Sequence, residues 1–131
     1  MINYNHYAES FNFLLEKIVK KETNNKKIKK YNINYEDYNL FYFNSILKQD
    51  FDIKTIVARI EIEDIESIPF PALVFLKLNG GTFAIVNSYE KGKIYWENID
   101  FGKQINTMTL FNKICENIFL FVDYEADDSY A

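Results

Sequence analysis

One cysteine, Cys115, is all the thiol that 131 residues contain. A lone thiol closes no internal disulfide and builds no thiolate-rich zinc site, so a secreted disulfide scaffold is excluded and a reducing compartment is expected. Glycine is scarce too. The four glycines, Gly80, Gly81, Gly92 and Gly102, are spaced neither as a phosphate-binding loop nor as a dinucleotide fingerprint. The single histidine, His6, and the scattered carboxylates have no zinc-ligand spacing, and Glu61, Glu63, Asp64 and Glu66 lack the glycine of a calcium loop. No metal and no cofactor are therefore expected. Residues 1–6 are polar where a signal peptide needs an apolar stretch, and the longest apolar runs, near residues 72–76 and 118–122, are far too short to span a bilayer. The expected setting is cytoplasmic, either as a free protein or as the soluble part of a membrane protein, with no direct membrane insertion. A net charge of −4 argues against nucleic acid held by phosphate neutralisation.

Hydrophobic residues make up 48% of the chain, enough for one domain to bury a core without staples. Aromatic residues are abundant at 18%, but a chain this rich in Asn, Lys, Ile, Tyr and Phe has the composition of an AT-rich genome, which weakens that abundance as a sign of a ligand site. Phe11, Leu14, Leu15, Ile18 and Val19 recur at helical spacing and predict an amphipathic helix over 7–21. Thr23, Asn24 and Asn25 are candidate caps for a short lysine-rich helix carrying Lys26, Lys27, Lys29 and Lys30. A third helix is predicted over 35–48, capped by Asn34 or Asp37. Beyond residue 50 the period changes, and β-branched density predicts a strand over 53–60. A short acidic helix over 61–67 precedes a strand over 72–78, which starts after Pro71 because proline is tolerated at a strand's entry. Asn79, Gly80 and Gly81 predict a hairpin into a strand over 82–89. Turns at 90–92 and 100–102 bracket a strand over 93–97. Thr107 caps a short helix through Leu110, Phe111 and Ile114, and 117–124 closes the chain as a strand. Helices first and an antiparallel sheet afterwards make an α+β domain over 1–124, with 125–131 as an acidic tail or linker.

Several segments, taken in order, resemble the peptidase C39 family. These papain-like domains cleave double-glycine leader peptides at the front of bacteriocin-exporting ABC transporters. Residues 68–77 (IPFPALVFLK), 80–86 (GGTFAIV), 92–97 (GKIYWE) and 105–114 (INTMTLFNKI) match that family's successive strand and helix motifs. Residues 34–47 and 58–71 are similar to the degenerate C39-like domains of Bacteroidetes proteins, some fused to vitamin K epoxide reductase and thioredoxin-like domains. The resemblance implies a papain-like fold over residues 8–124. It also implies a thiolate nucleophile at the start of the first helix, a histidine on the central strand and an aspartate to orient it.

This chain supplies none of the three. No cysteine precedes Cys115, Thr82 occupies the expected histidine position, Glu97 occupies the expected aspartate position, and the nucleophile's place falls within 5–10. Thr82 cannot take up a proton near neutral pH, so Glu97 has no imidazole to orient. The expectation is a catalytically inactive domain that binds a peptide or a neighbouring domain in a peptide-export or thiol-redox system. Its cleft is expected between Gly80, Gly81 and Thr82 on one side and Trp96 and Glu97 on the other, filled in part by Tyr7, Phe11 and Trp96. Structural roles compete with this: Gly80 and Gly81 as a hairpin turn, Trp96 as sheet cover, His6 and Ser10 as exposed side chains, Cys115 as a small buried hydrophobe. Two other functions stay open, a divergent hydrolase using Ser10 or Thr82, and a regulatory domain of a membrane thiol oxidoreductase or exporter.

Overall fold

A computed structural model describes residues 6–23 and 28–125. Helix α1, His6–Glu22, buries the predicted stripe of Phe11, Leu14, Leu15, Ile18 and Val19. It also buries two polar residues. Asn12 donates to the carbonyls of Ala8 and Tyr31 and accepts the Tyr31 amide, each at 2.8 Å, which ties the returning chain to the helix. Residues 28–30 are not helical, so the lysine-rich helix does not form there, and residues 24–27 lie outside the described part.

The helix predicted over 35–48 divides in two. Asn34 caps a single 3-10 turn, Tyr35–Asp37, by accepting from the Glu36 amide. Asn39 then caps α2, Leu40–Phe51, by accepting from the Tyr42 amide. Two asparagines competing for one start explain why the longer helix begins later than predicted.

Strands follow as β1 (Thr55–Arg59), β2 (Ala72–Leu76), β3 (Thr82–Glu90), β4 (Lys93–Asn98), β5 (Gly102–Thr107) and β6 (Cys115–Val122), with helix α3, Met108–Ile114, before the last. They form one antiparallel sheet in the order β1-β6-β2-β3-β4-β5, so the final strand inserts between β1 and β2. Strand β5 was not anticipated; its segment reads as a turn and a helix cap. The β2–β3 connection is also looser than a two-residue hairpin. Strand β2 ends at Leu76, which pairs with Thr82, and a 3-10 turn at Leu78–Gly80 closes the loop through Gly81 N–H donating to Leu78 O at 2.9 Å.

Both faces of the sheet are covered, which is why 72–76 and 83–86 read as continuous apolar runs instead of alternating ones. Leu73, Phe83, Ile85 and Leu120 face α1 and α2, where Phe11 stacks on Phe43 with ring centroids 4.2 Å apart. Val74, Ala84, Val86, Trp96 and Phe119 face the second layer, built from Ile62, Ile65 and Phe111. No helix among the described residues is long and apolar enough to cross a membrane.

Candidate functional site

The start of α1 meets the start of β3 and the turn between β4 and β5. Between them lies a pocket of about 310 Å³, lined by His6, Tyr7, Tyr38, Asn79, Gly81, Thr82 and Asp100. On one wall the His6 imidazole Nε2 lies 3.0 Å and 3.2 Å from the two carboxylate oxygens of Asp100, joining residues 94 apart in sequence. On the other, the Tyr38 phenol Oη sits 2.7 Å from Ser10 Oγ and 3.4 Å from Thr82 Oγ1, and the Phe83 amide donates to it at 3.4 Å. Ser10 and Thr82 are both buried, so this hydroxyl chain is closed from solvent on the protein side. The Tyr38 ring is held edge-on by Phe83 at 4.9 Å and tilted against Tyr7 at 5.3 Å; Tyr7 in turn meets the exposed Tyr35 at 5.4 Å.

Gly81 earns its place twice. Its φ of +116° is a region that side chains rarely adopt, and an added Cβ would lie 2.7 Å from the Phe75 ring.

Of the residues expected to form the cleft, Gly81 and Thr82 line this pocket, and Gly80, Trp96 and Glu97 do not. Adjacent strand residues point to opposite faces. Glu97 therefore turns toward α1, accepting from Asn87 Nδ2 at 3.0 Å and pairing with Lys17 Nζ at 3.2 Å. Burial alone would raise its carboxyl, but the hydrogen bonds from Asn87 and Lys17 and the charges of Lys17 and Lys103 outweigh it and hold the group below the ordinary glutamate range. Trp96 turns to the other layer, where it packs against Phe101 and Phe111, each 6.3 Å away, and its Nε1–H donates to Asn106 at 2.6 Å. The expected fillers part company in the same way. Tyr7 borders the pocket, Phe11 belongs to the core beneath it, and Trp96 is across the sheet.

Three further residues escaped sequence reasoning. Tyr38 carries the central hydroxyl, and His6, its side chain exposed as expected, also forms part of the wall through Asp100. Asn98 is buried beside the β3 start, donating to Phe83 O at 3.2 Å and accepting the Phe101 amide at 2.8 Å. A carboxamide at the end of a strand, just before a turn, is the one signal that could have singled it out. Ser10 is likewise no surface serine. Cys115 is buried at the start of β6, where its Sγ–H donates to Asn117 Oδ1 at 2.9 Å and burial pushes its thiol up. It does not reach the pocket. Among the described residues no group of three or more His, Cys, Asp or Glu is placed to hold a metal ion.

No protein-family model matches the sequence, and none of the curated proteins does. Solved structures do. The N-terminal peptidase C39-like domain of the toxin secretion ATP-binding protein from Vibrio parahaemolyticus matches 93% of this chain and 98% of its own, with a TM-score of 0.57 at 13% identity. A double-glycine motif protease from an AMS/PCAT transporter, determined in complex with the leader peptide, gives a TM-score of 0.57 at 16% identity. That match takes in 64% of this chain and 59% of the protease. The likeness is one of fold: a helix-plus-antiparallel-sheet domain of the C39 peptidase-like kind, shared with domains of peptide-secretion transporters.

Proposed function

We propose that this domain binds a peptide without cutting it, in the pocket between the start of α1 and the start of β3, as part of a bacterial peptide-export or thiol-redox system. The observation that carries the reading is the hydroxyl chain Ser10–Tyr38–Thr82. It stands where the resemblance calls for a nucleophile and its base, and alcohols and a phenol hold no thiolate and take up no proton near neutral pH. The lone thiol is buried elsewhere. What remains is a recess with an aromatic rim at Tyr7 and Tyr38 and a glycine at position 81 that allows close backbone approach. The structural relative solved with a leader peptide makes such a peptide the natural first probe.

Calorimetric titration with a synthetic double-glycine leader peptide, followed by mass spectrometry of the mixture, tests this. Saturable binding that weakens several-fold in Tyr7→Ala, with the peptide intact, is the expected result. Cleavage, or no binding, overturns it.

One observation favours a second reading. The His6–Asp100 pair beside the Ser10, Tyr38 and Thr82 hydroxyls has the composition of a hydrolase centre. Labelling by a fluorophosphonate that disappears in Ser10→Ala or Thr82→Ala would decide for it.

A further inference from the structure

We propose that the peptide taken by the pocket at the start of α1 is held there by a basic side chain, lysine or arginine, whose charge meets Asp100 beside the tyrosine rings. This rests on the reading of the pocket as a peptide site and names what the peptide carries.

Charge selects the ligand first. Asp100 is the one carboxylate among the described residues that line the pocket, and no lysine or arginine is among them. Its side chain keeps 29% of its surface exposed, so a ligand can reach it. The His6 imidazole lies 3.0 Å and 3.2 Å from its two oxygens. An imidazole that donates one N–H uses one of about four acceptor positions on a carboxylate and leaves its charge in place. The carboxylate is also held ready. Buried Asn98 accepts the Phe101 amide at 2.8 Å and donates to Phe83 O at 3.2 Å, which fixes the turn that carries Asp100. Glu9 stands on the other side of the imidazole, 4.0 Å from Nδ1, and Glu36 is exposed in the 3-10 turn beside Tyr35. The mouth of the pocket therefore favours a cation.

The rings narrow the choice further. Tyr7 and Tyr38 line the same pocket, and Tyr35 extends the cluster outward from Tyr7. Tyr7 is 38% exposed and Tyr35 71%, large rings that a closed core would have covered. Aromatic faces attract an ammonium or guanidinium and also cover the aliphatic stem behind it, so rings beside a carboxylate prefer a basic side chain to an apolar one. At about 310 Å³ the pocket is at the small end of ligand sites, with room for one long side chain. The ends of this chain do not supply that group: residues 1–5 contain no charged side chain, and 126–131 contain only Asp127 and Asp128. Lys26 and Lys27 come after the opposite end of the 17-residue α1. A second copy, itself of net charge −4, is repelled from a negative mouth, whereas a basic peptide is drawn in.

The probes are blocked pentapeptides of glycine with a central lysine, norleucine or glutamate, each titrated into the whole chain and followed by amide chemical shifts in two-dimensional NMR. Norleucine keeps the aliphatic stem and drops the charge. Saturable shifts at the residues lining the pocket are expected for lysine, with affinity about five-fold weaker for norleucine and weaker again for glutamate, since a partly exposed ion pair is worth about that factor. Added salt should shrink the lysine preference. Asp100→Asn should bring lysine down to the norleucine level and leave norleucine unchanged, and Tyr7→Leu should weaken lysine more than norleucine. Glu63→Gln, which removes an exposed carboxylate from the second layer, should change nothing. Equal affinity for lysine and norleucine, a lysine preference that survives Asp100→Asn, or no binding of the lysine peptide would overturn the proposal. The double-glycine leader peptide, titrated alongside, separates the two readings: if it binds while the lysine preference is absent, only the basic side chain is refuted, and if nothing binds, the peptide site falls with it. Sedimentation showing self-association that Asp100→Asn abolishes would also overturn the proposal, because the cation would then come from a second copy.

Discussion

Replacing Tyr38 with phenylalanine removes one oxygen and isolates the contribution of the hydroxyl chain. The ring contacts with Phe83 and Tyr7 are kept, so no cavity term enters. The 2.7 Å bond to Ser10 is lost outright, and a hydrogen bond of this kind contributes about 1 kcal/mol net. The contacts from Thr82 and the Phe83 amide, both at 3.4 Å, lie beyond good hydrogen-bond length and add little. Ser10 is 2% exposed, so water does not easily replace the phenol, and an unpartnered buried hydroxyl costs about 1–3 kcal/mol. A helical serine can rotate to bond the carbonyl one turn back, which takes the expectation to the lower end of that range. Tyr38→Phe should therefore destabilise the domain by about 1–2 kcal/mol in urea unfolding. In a double-mutant cycle with Ser10→Ala the coupling should be about 1 kcal/mol, because the second substitution removes the group that the first leaves stranded. A Tyr38→Phe variant within about 0.3 kcal/mol of the parent, or a cycle with no coupling, would refute the reasoning. The three hydroxyls would then be solvated separately, and the pocket floor would not be a closed network.

Glu97→Gln breaks the pairing with Lys17 and should cost about 1–2 kcal/mol at pH 7. Because the native carboxyl is held below the ordinary value of 4.5, its contribution is complete above that pH and is lost as pH falls through the lower native value. Urea unfolding at pH 7 and pH 3.5 should show the parent losing more stability than Glu97→Gln, and parallel losses would count against the pairing. Gly81→Ala should destabilise more than Gly80→Ala, since both have positive φ but only at Gly81 does a Cβ meet the Phe75 ring; equal melting temperatures would contradict this. Thr82→His combined with Ser10→Cys should fold and cleave no leader peptide, because the Tyr38 phenol lies between the two positions and Glu97, at the expected aspartate position, is already committed to Asn87 and Lys17. Iodoacetamide-sensitive cleavage by that variant would show that the cleft needs only its reactive atoms.

Most of the framework was legible because it is written locally. The stripe through Phe11, Leu14, Leu15 and Ile18, the apolar runs at 72–76 and 83–86, and the turn residues at 79–81 each constrain their own segment, whatever the rest of the chain does. Strand β5 shows the opposite case. Gly102–Thr107 contains one large apolar residue, Ile105, and no buried alternation, so no period betrays it; the segment is extended because β4 offers it a full ladder. Of the expected lysine-rich helix only residues 28–30 are described, and there Ile28 packs against the core from an irregular stretch, so its anchoring does not come from a helical face.

The site divides along the same line. Gly81 and Thr82 share one pocket because both lie where the turn at 79–81 ends, whereas Trp96 and Glu97, expected in one cleft, are neighbours on β4. Neighbours on a strand face opposite sides, and a cleft open to one side of a sheet can use only one of them. Tyr38 and His6 were beyond reach for a different reason. One tyrosine among ten carries no local mark of its role, and its partners Ser10 and Thr82 lie 28 and 44 residues away. His6 meets Asp100 only because α1 begins where the β4–β5 turn ends its course. Such contacts are consequences of topology, and topology here depends on β6 inserting between β1 and β2. That insertion puts β2 and β3 at the middle of the sheet beneath α1, and so brings the start of the first helix over the start of β3. A change that frees β6 should therefore disturb the pocket before it disturbs the β3–β4–β5 meander, whose pairings are all between neighbours in sequence.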